Sequence, residues 1–137
     1  MEIKIAKTYG FCQGVKNAIN TAIFELSKTN NKIYLLNKIV HNQTVNDELA
    51  SKGLIILDSN SNDIEKINSI KEGTIIFSAH GHDKKIELYA LNKGLKIIDA
   101  TCPLVKLNEK KIMESLENKQ IVFYIGIQNH PETNAVL

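Results

Sequence analysis

The sequence predicts an α/β fold, a mostly parallel sheet with helices on both faces. Three observations carry this. Runs rich in Ile and Val alternate with segments of helical periodicity almost from end to end. Such strands on a helix-alternating frame belong to parallel sheets covered on both sides. The length of 137 residues suits one small domain at the usual size of roughly 100–200 residues.

Residues 2–6 read as a first strand, running straight from the N-terminus without a charged leader or long apolar stretch. Residues 15–27 repeat apolar side chains at helical spacing through Val15, Ala18, Ile19, Ala22, Ile23 and Leu26. Residues 32–36 form a second strand, and residues 43–52 a short helix that Gly53 stops. A third strand covers 54–57. The polar, Asn- and Ser-rich stretch 58–72 reads as a loop with a short helix over 63–69. A fourth strand at 74–79 is followed by a helix at 83–92, which ends at Lys93-Gly94. A fifth strand at 95–99 leads to a long helix at 103–118, and a sixth strand covers 120–125. Only a loop is read between that strand and Leu137, so the last βα unit reads as incomplete.

Composition narrows the function classes. The apolar fraction is 43% and the charged fraction 23%, values of a globular chain and not of a disordered or disulfide-dense one. No apolar run reaches the roughly 18–20 residues of a membrane span, and the expected location is cytoplasmic. All seventeen basic residues are Lys, against fifteen acidic ones. Without Arg, the usual residue for bidentate phosphate or guanine readout, nothing here favours nucleic acid as a partner. Cys12 and Cys102 lie too far apart in sequence for a zinc knuckle or a redox CxxC pair.

Ligands of open α/β sheets bind outside the carboxyl ends of the strands. The segments after the predicted strands hold Gly10-Phe11-Cys12-Gln13-Gly14, Val40-His41-Asn42, Ser78-Ala79-His80-Gly81, Ala100-Thr101-Cys102-Pro103 and Asn129-His130-Pro131-Glu132. Both cysteines, three of the four histidines and a carboxylate are thereby carried to one edge. Cys12 precedes a helix, where the dipole favours the metal-binding thiolate, and Cys102 precedes Pro103 with the same placement. Soft thiolates suit iron–sulfur clusters or zinc. His41 and His80 could donate to anionic oxygens. Glu132, close to His130, is a candidate proton donor if its surroundings are dry. Gly10, Gly14 and Gly81 would let the backbone approach a ligand.

Plainer roles stand beside these. A cysteine near a strand can be packing, a strand-end histidine a hydrogen-bonded structural residue, and Glu132 a helix cap. Of His80 and His82, two residues apart, His82 is read as the surface residue. Lys84-Lys85 and Lys110-Lys111 read as solvated helix faces.

Taken together and in order, Gly10-Phe11-Cys12-Gln13-Gly14-Val15, Val40-His41-Asn42, Phe77-Ser78-Ala79-His80-Gly81, Asp99-Ala100-Thr101-Cys102-Pro103-Leu104-Val105 and His130-Pro131-Glu132 closely resemble the N-terminal part of the IspH (LytB) family. That family comprises the 4-hydroxy-3-methylbut-2-enyl diphosphate reductases. The resemblance implies three related α/β units around an oxygen-sensitive 4Fe-4S cluster, with residues 1–101 as the first unit and 102–137 as an incomplete second. It implies Cys12 and Cys102 as two of three cluster ligands, the third falling outside this chain. His41 and His80 match histidines that hold the substrate diphosphate, His130 a histidine near the substrate, and Glu132 the acid that protonates the departing hydroxyl. The implied electron donors are ferredoxin or flavodoxin. The expected outcome for the 137-residue chain alone is inactivity as a reductase. Three other readings stay open: a non-catalytic fragment or remnant, a zinc protein using both cysteines and two histidines, and a phosphate-binding module without a cluster.

Overall fold

The computed structural model describes residues 2–57, 61–128 and 130–136. Asp58, Ser59 and Asn60 of the predicted polar loop, and Asn129 of the last motif, lie outside the described residues. Four strands, β1 (Ile33–Leu36), β2 (Leu54–Leu57), β3 (Thr74–Phe77) and β4 (Lys96–Asp99), form one sheet in the order β2-β1-β3-β4. All three pairings are parallel, with Ile33 opposite Leu54 and Thr74, and Thr74 opposite Lys96. The fold class is therefore the expected α/β, with helices α1 (Gln13–Lys28), α2 (Gln43–Ser51), α3 (Asp63–Asn68), α4 (Lys84–Asn92), α5 (Pro103–Glu117) and α6 (Pro131–Val136).

Strand periodicity divides the core in two. Ile33, Leu35 and Ile76 point to one face, where Ala18 and Ala22 of α1 and Leu49 of α2 cover them. Leu36, Ile75 and Phe77 point to the other, against Ile67 of α3, Ile70 and Ala90 of α4. Small alanines let α1 lie close to the sheet, whereas β-branched strand residues fill the pleat. Helix starts follow from side chains that accept orphan N–H groups. Asn42 accepts from Val45, Asn62 from Glu65, and Asp83 from Lys85. Pro103 opens α5, where its missing N–H costs nothing.

Two predicted strands do not form. Residues 2–6 and 120–125 carry no strand and pair with none of β1 to β4. Their apolar side chains stay in solvent, Phe123 at 87% and Ile125 at 97% exposure. The stretch read as a terminal loop instead contains α6. No helix among the described residues is long and apolar enough to cross a membrane.

Candidate active site

The strand order fixes where a ligand can enter. The chain leaves β1 for β2 on one side, then returns to place β3 on the other side. Connections after β1 and β3 therefore diverge and open a crevice at the strand carboxyl ends. His41 lies on the segment after β1 and His80 on the segment after β3, one on each lip. Their ring centroids are 5.2 Å apart. His130, just before α6, brings a third ring to 6.1 Å from His41 and 6.3 Å from His80. A cavity of about 360 Å³ opens beside them, lined in part by Asn37, His41, Ser78, His80, Gly81 and Asn134.

Each histidine is held differently. His80 is largely buried, and its Nδ1 lies 3.6 Å from Glu132 Oε1. Its Nε2 is buried and has no hydrogen-bond partner among the described residues. Burial holds its pKa below the ordinary histidine value, the Glu132 carboxylate pulls the other way, and the neighbouring His41 and His130 add to the lowering. The buried ring thus favours the neutral form and offers an unfilled position on Nε2. His130 Nδ1 accepts the Glu132 backbone N–H at 3.3 Å, which leaves the proton of a neutral ring on Nε2. This bond caps α6, and α6 in turn sets Glu132 beside His80. His41 is exposed, and its ring meets those of His80 and His130.

Both cysteines occupy helix N-cap positions, Cys12 on α1 and Cys102 on α5, and neither side chain caps its helix. Both are free thiols. A Cβ added at Gly14 would stand 2.5 Å from Cys102 Sγ, so the absent side chain is what lets the two helix starts meet. Gly81 serves similarly: at φ +89°, a Cβ there would stand 2.9 Å from Ala135 Cβ and 3.2 Å from Glu109 Oε1. Gly14 and Gly81 thus make room for protein atoms, whereas Gly10 has open space around it.

The LytB protein family model matches residues 3–137. The chain belongs to the LytB family. A 4-hydroxy-3-methylbut-2-enyl diphosphate reductase of Wolbachia pipientis wMel is 39% identical over 99% of this chain and 43% of its own length. One from Thermoanaerobacter sp. (strain X514) is 37% identical over 99% of the chain and 46% of its own. The solved structure of the Plasmodium falciparum E-1-hydroxy-2-methyl-but-2-enyl-4-diphosphate reductase superposes with a TM-score of 0.84 at 33% identity, over 95% of this chain and 39% of that one. A second solved structure, of (E)-4-hydroxy-3-methyl-but-2-enyl diphosphate reductase, the terminal enzyme of the non-mevalonate pathway, gives 0.82 at 33% identity over 98% of this chain and 45% of that one. This LytB chain spans less than half the length of the relatives it matches.

Of the LytB residues singled out in the sequence, His41, His80, His130 and Glu132 come together, and Cys102 lies against the first turn of α1, whose N-cap position Cys12 occupies. Among the described residues no three His, Cys, Asp or Glu side chains form a group able to hold a metal ion. The four-ligand zinc arrangement is therefore not formed there. Two soft thiols at positive helix ends do fit an iron–sulfur group, as two of its ligands.

His82 departs from expectation. It is not a surface residue: its side chain is 10% exposed, its ring stacks on Phe77 at 3.8 Å, and Nε2 meets Glu87 at 3.2 Å. The chain turns at Ala79-His80 and Gly81 takes a positive φ, and the His82 ring is thereby laid back on Phe77. Sequence reasoning also passed over Asn46. It is buried on α2 beside Leu49, a polar residue in an apolar stripe, and that mismatch was the available signal.

Proposed function

We propose that these residues form the diphosphate-holding and proton-donating part of a 4-hydroxy-3-methylbut-2-enyl diphosphate reductase. The single observation that carries this is the convergence of three imidazoles and Glu132 at the carboxyl edge of the sheet. Once an anion is bound, His80 as imidazolium faces Glu132 through Nδ1 and donates from Nε2 to a phosphate oxygen, and exposed His41 closes on the same diphosphate from the opposite lip. His130 presents its Nε2 proton beside them. The diphosphate supplies binding remote from the reacting carbon and fixes the allylic hydroxyl in place.

The overall change takes up two electrons and two protons and releases water. One proton goes from the Glu132 carboxyl to the departing hydroxyl, which turns a poor leaving group into water. The other ends on carbon at either end of the allyl unit, which accounts for isopentenyl and dimethylallyl diphosphate as products. Cys12 and Cys102 would hold a 4Fe-4S cluster as two of its thiolate ligands, the third coming from outside these 137 residues. When bound, that group supplies electrons one at a time and a Lewis-acidic iron. Ferredoxin or flavodoxin, as one-electron carriers, fit the donor role. Residues 1–101 serve as the first α/β unit and 102–137 as the beginning of a second, and the 137-residue chain alone does not turn over.

Calorimetric titration of the chain with isopentenyl diphosphate and with isopentenol tests the binding half. The diphosphate should bind and the alcohol should not. His80→Ala should weaken binding by roughly ten- to a hundredfold, the loss of one charge-assisted hydrogen bond. Absence of diphosphate binding, or equal binding of the alcohol, rejects the reading.

A further inference from the structure

We propose that Asn46 is a positioning residue that sets His41 for anion binding by stapling the backbone on both sides of it. The inference rests on the reading of His41 as a diphosphate ligand. The Asn46 side chain is 2% exposed. Its Oδ1 accepts the Ile39 N–H at 3.3 Å, and its Nδ2 donates to the Val40 and Asn42 carbonyls, each at 2.8 Å. One buried amide thus fills three of the four hydrogen bonds it can make, all with the backbone that brackets His41.

The rest of the loop explains why this matters. At its entry, Asn37 has a φ of +65° and is held by Asp63 and Lys66 of α3. At its exit, the Asn42 side chain caps α2. Between these ends the exposed His41 ring has no hydrogen bond among the described residues, so its place is dictated by the backbone under it. An apolar side chain at 46 would leave the Val40 carbonyl without the amide and let the loop relax, carrying His41 away from His80. Buried amides of this kind are costly to leave half-satisfied and specify one conformation when complete.

The test is a titration with inorganic pyrophosphate, followed by NMR of the ¹³C-histidine-labelled chain, for the wild type, Asn46→Val and Asn46→Ser. A serine hydroxyl can return one bond to the Asn42 carbonyl four residues back. The expected order of affinity is wild type, then Ser, then Val, with Val roughly tenfold weaker. The His41–His80 contact should fade in Val while the His80 and His130 signals of the free chain keep their positions. Wild-type binding with unchanged affinity in both variants overturns the positioning role and leaves the site reading intact. No response of His41 and His80 in the wild type rejects the site reading, and this inference falls with it. Collapse of all three histidine signals in both variants assigns Asn46 to the fold as a whole and also overturns the proposal.

Discussion

Gly14→Ala is the sharpest probe of how the two cysteines are brought together. Gly14 lies in the first turn of α1 with no positive φ, so alanine fits the backbone, and the helix should gain about 0.5–1 kcal/mol. Against this stands the contact: the new Cβ meets Cys102 Sγ at 2.5 Å and Cys102 Cβ at 3.0 Å. Turning the thiol about χ1 relieves the first contact but not the second, so the starts of α1 and α5 must also shift. Overpacking of this kind costs about 1–3 kcal/mol. The net is a loss of about 1 kcal/mol, or roughly 3–5 °C in midpoint for a domain of this size. In a Cys102→Gly background both offending atoms are gone, glycine is tolerated at an N-cap, and the same substitution should stabilise by about 0.5–1 kcal/mol. Thermal melts of the four chains measure the coupling, and the alkylation rate of Cys102 should rise in Gly14→Ala. A shift of the same sign and size in both backgrounds would falsify the close approach of Cys102 to α1.

Other outcomes follow from the same structure. His80 has a lowered pKa because it is buried, so the unfolded chain binds its proton near pH 6.5 while the folded chain does not. The stability this provides is present above pH 6.5 and lost as pH falls through the folded value; a His80→Phe chain that melts should show a flatter dependence there. Because a bound anion favours the imidazolium, pyrophosphate binding at pH 7.5 should take up protons, seen as a buffer-dependent calorimetric heat, and identical heats in two buffers would contradict it. His82→Ala should cost about 1–3 kcal/mol in urea unfolding through the lost stack on Phe77 and cavity, whereas Glu87→Gln, on a half-exposed carboxylate, should cost under 1. Phe123→Lys with Ile125→Lys should raise solubility and leave the unfolding midpoint within about 2 °C, since both side chains lie in solvent.

The parts of the fold legible in the sequence are those whose signals are local. Short runs rich in Ile and Leu marked β1 to β4, with a glycine just ahead of β2, β3 and β4, and the apolar spacing from Val15 to Leu26 marked α1. Residues 2–6 and 120–125 have equally strong strand composition, yet a strand exists only where a partner backbone stands beside it, and composition does not say where that is. The meeting of His41 and His80 was legible because a parallel sheet delivers the carboxyl ends of β1 and β3 to one edge, whereas His130 and Glu132 reach it at the start of α6 although the strand expected to carry them does not form. His82 was misjudged because the turn at Ala79-His80 and the positive φ of Gly81 fold its ring back onto Phe77, a contact that local spacing does not show. Gly14 was read as room for a ligand, and only the packing of α5 shows that the room is taken by Cys102.

The central claim, that this chain supplies half of a reductase site, is tested most directly by a chimera. These 137 residues would replace the matching first part of the Thermoanaerobacter reductase, to which they are 37% identical. The chimera would be reconstituted with iron and sulfide without oxygen and assayed with a chemical reductant. It should convert 4-hydroxy-3-methylbut-2-enyl diphosphate to both products, and Glu132→Gln should reduce the rate by roughly a hundredfold or more while diphosphate binding persists. A folded, cluster-loaded chimera without turnover, or one indifferent to Glu132→Gln, would contradict the assignment of these residues.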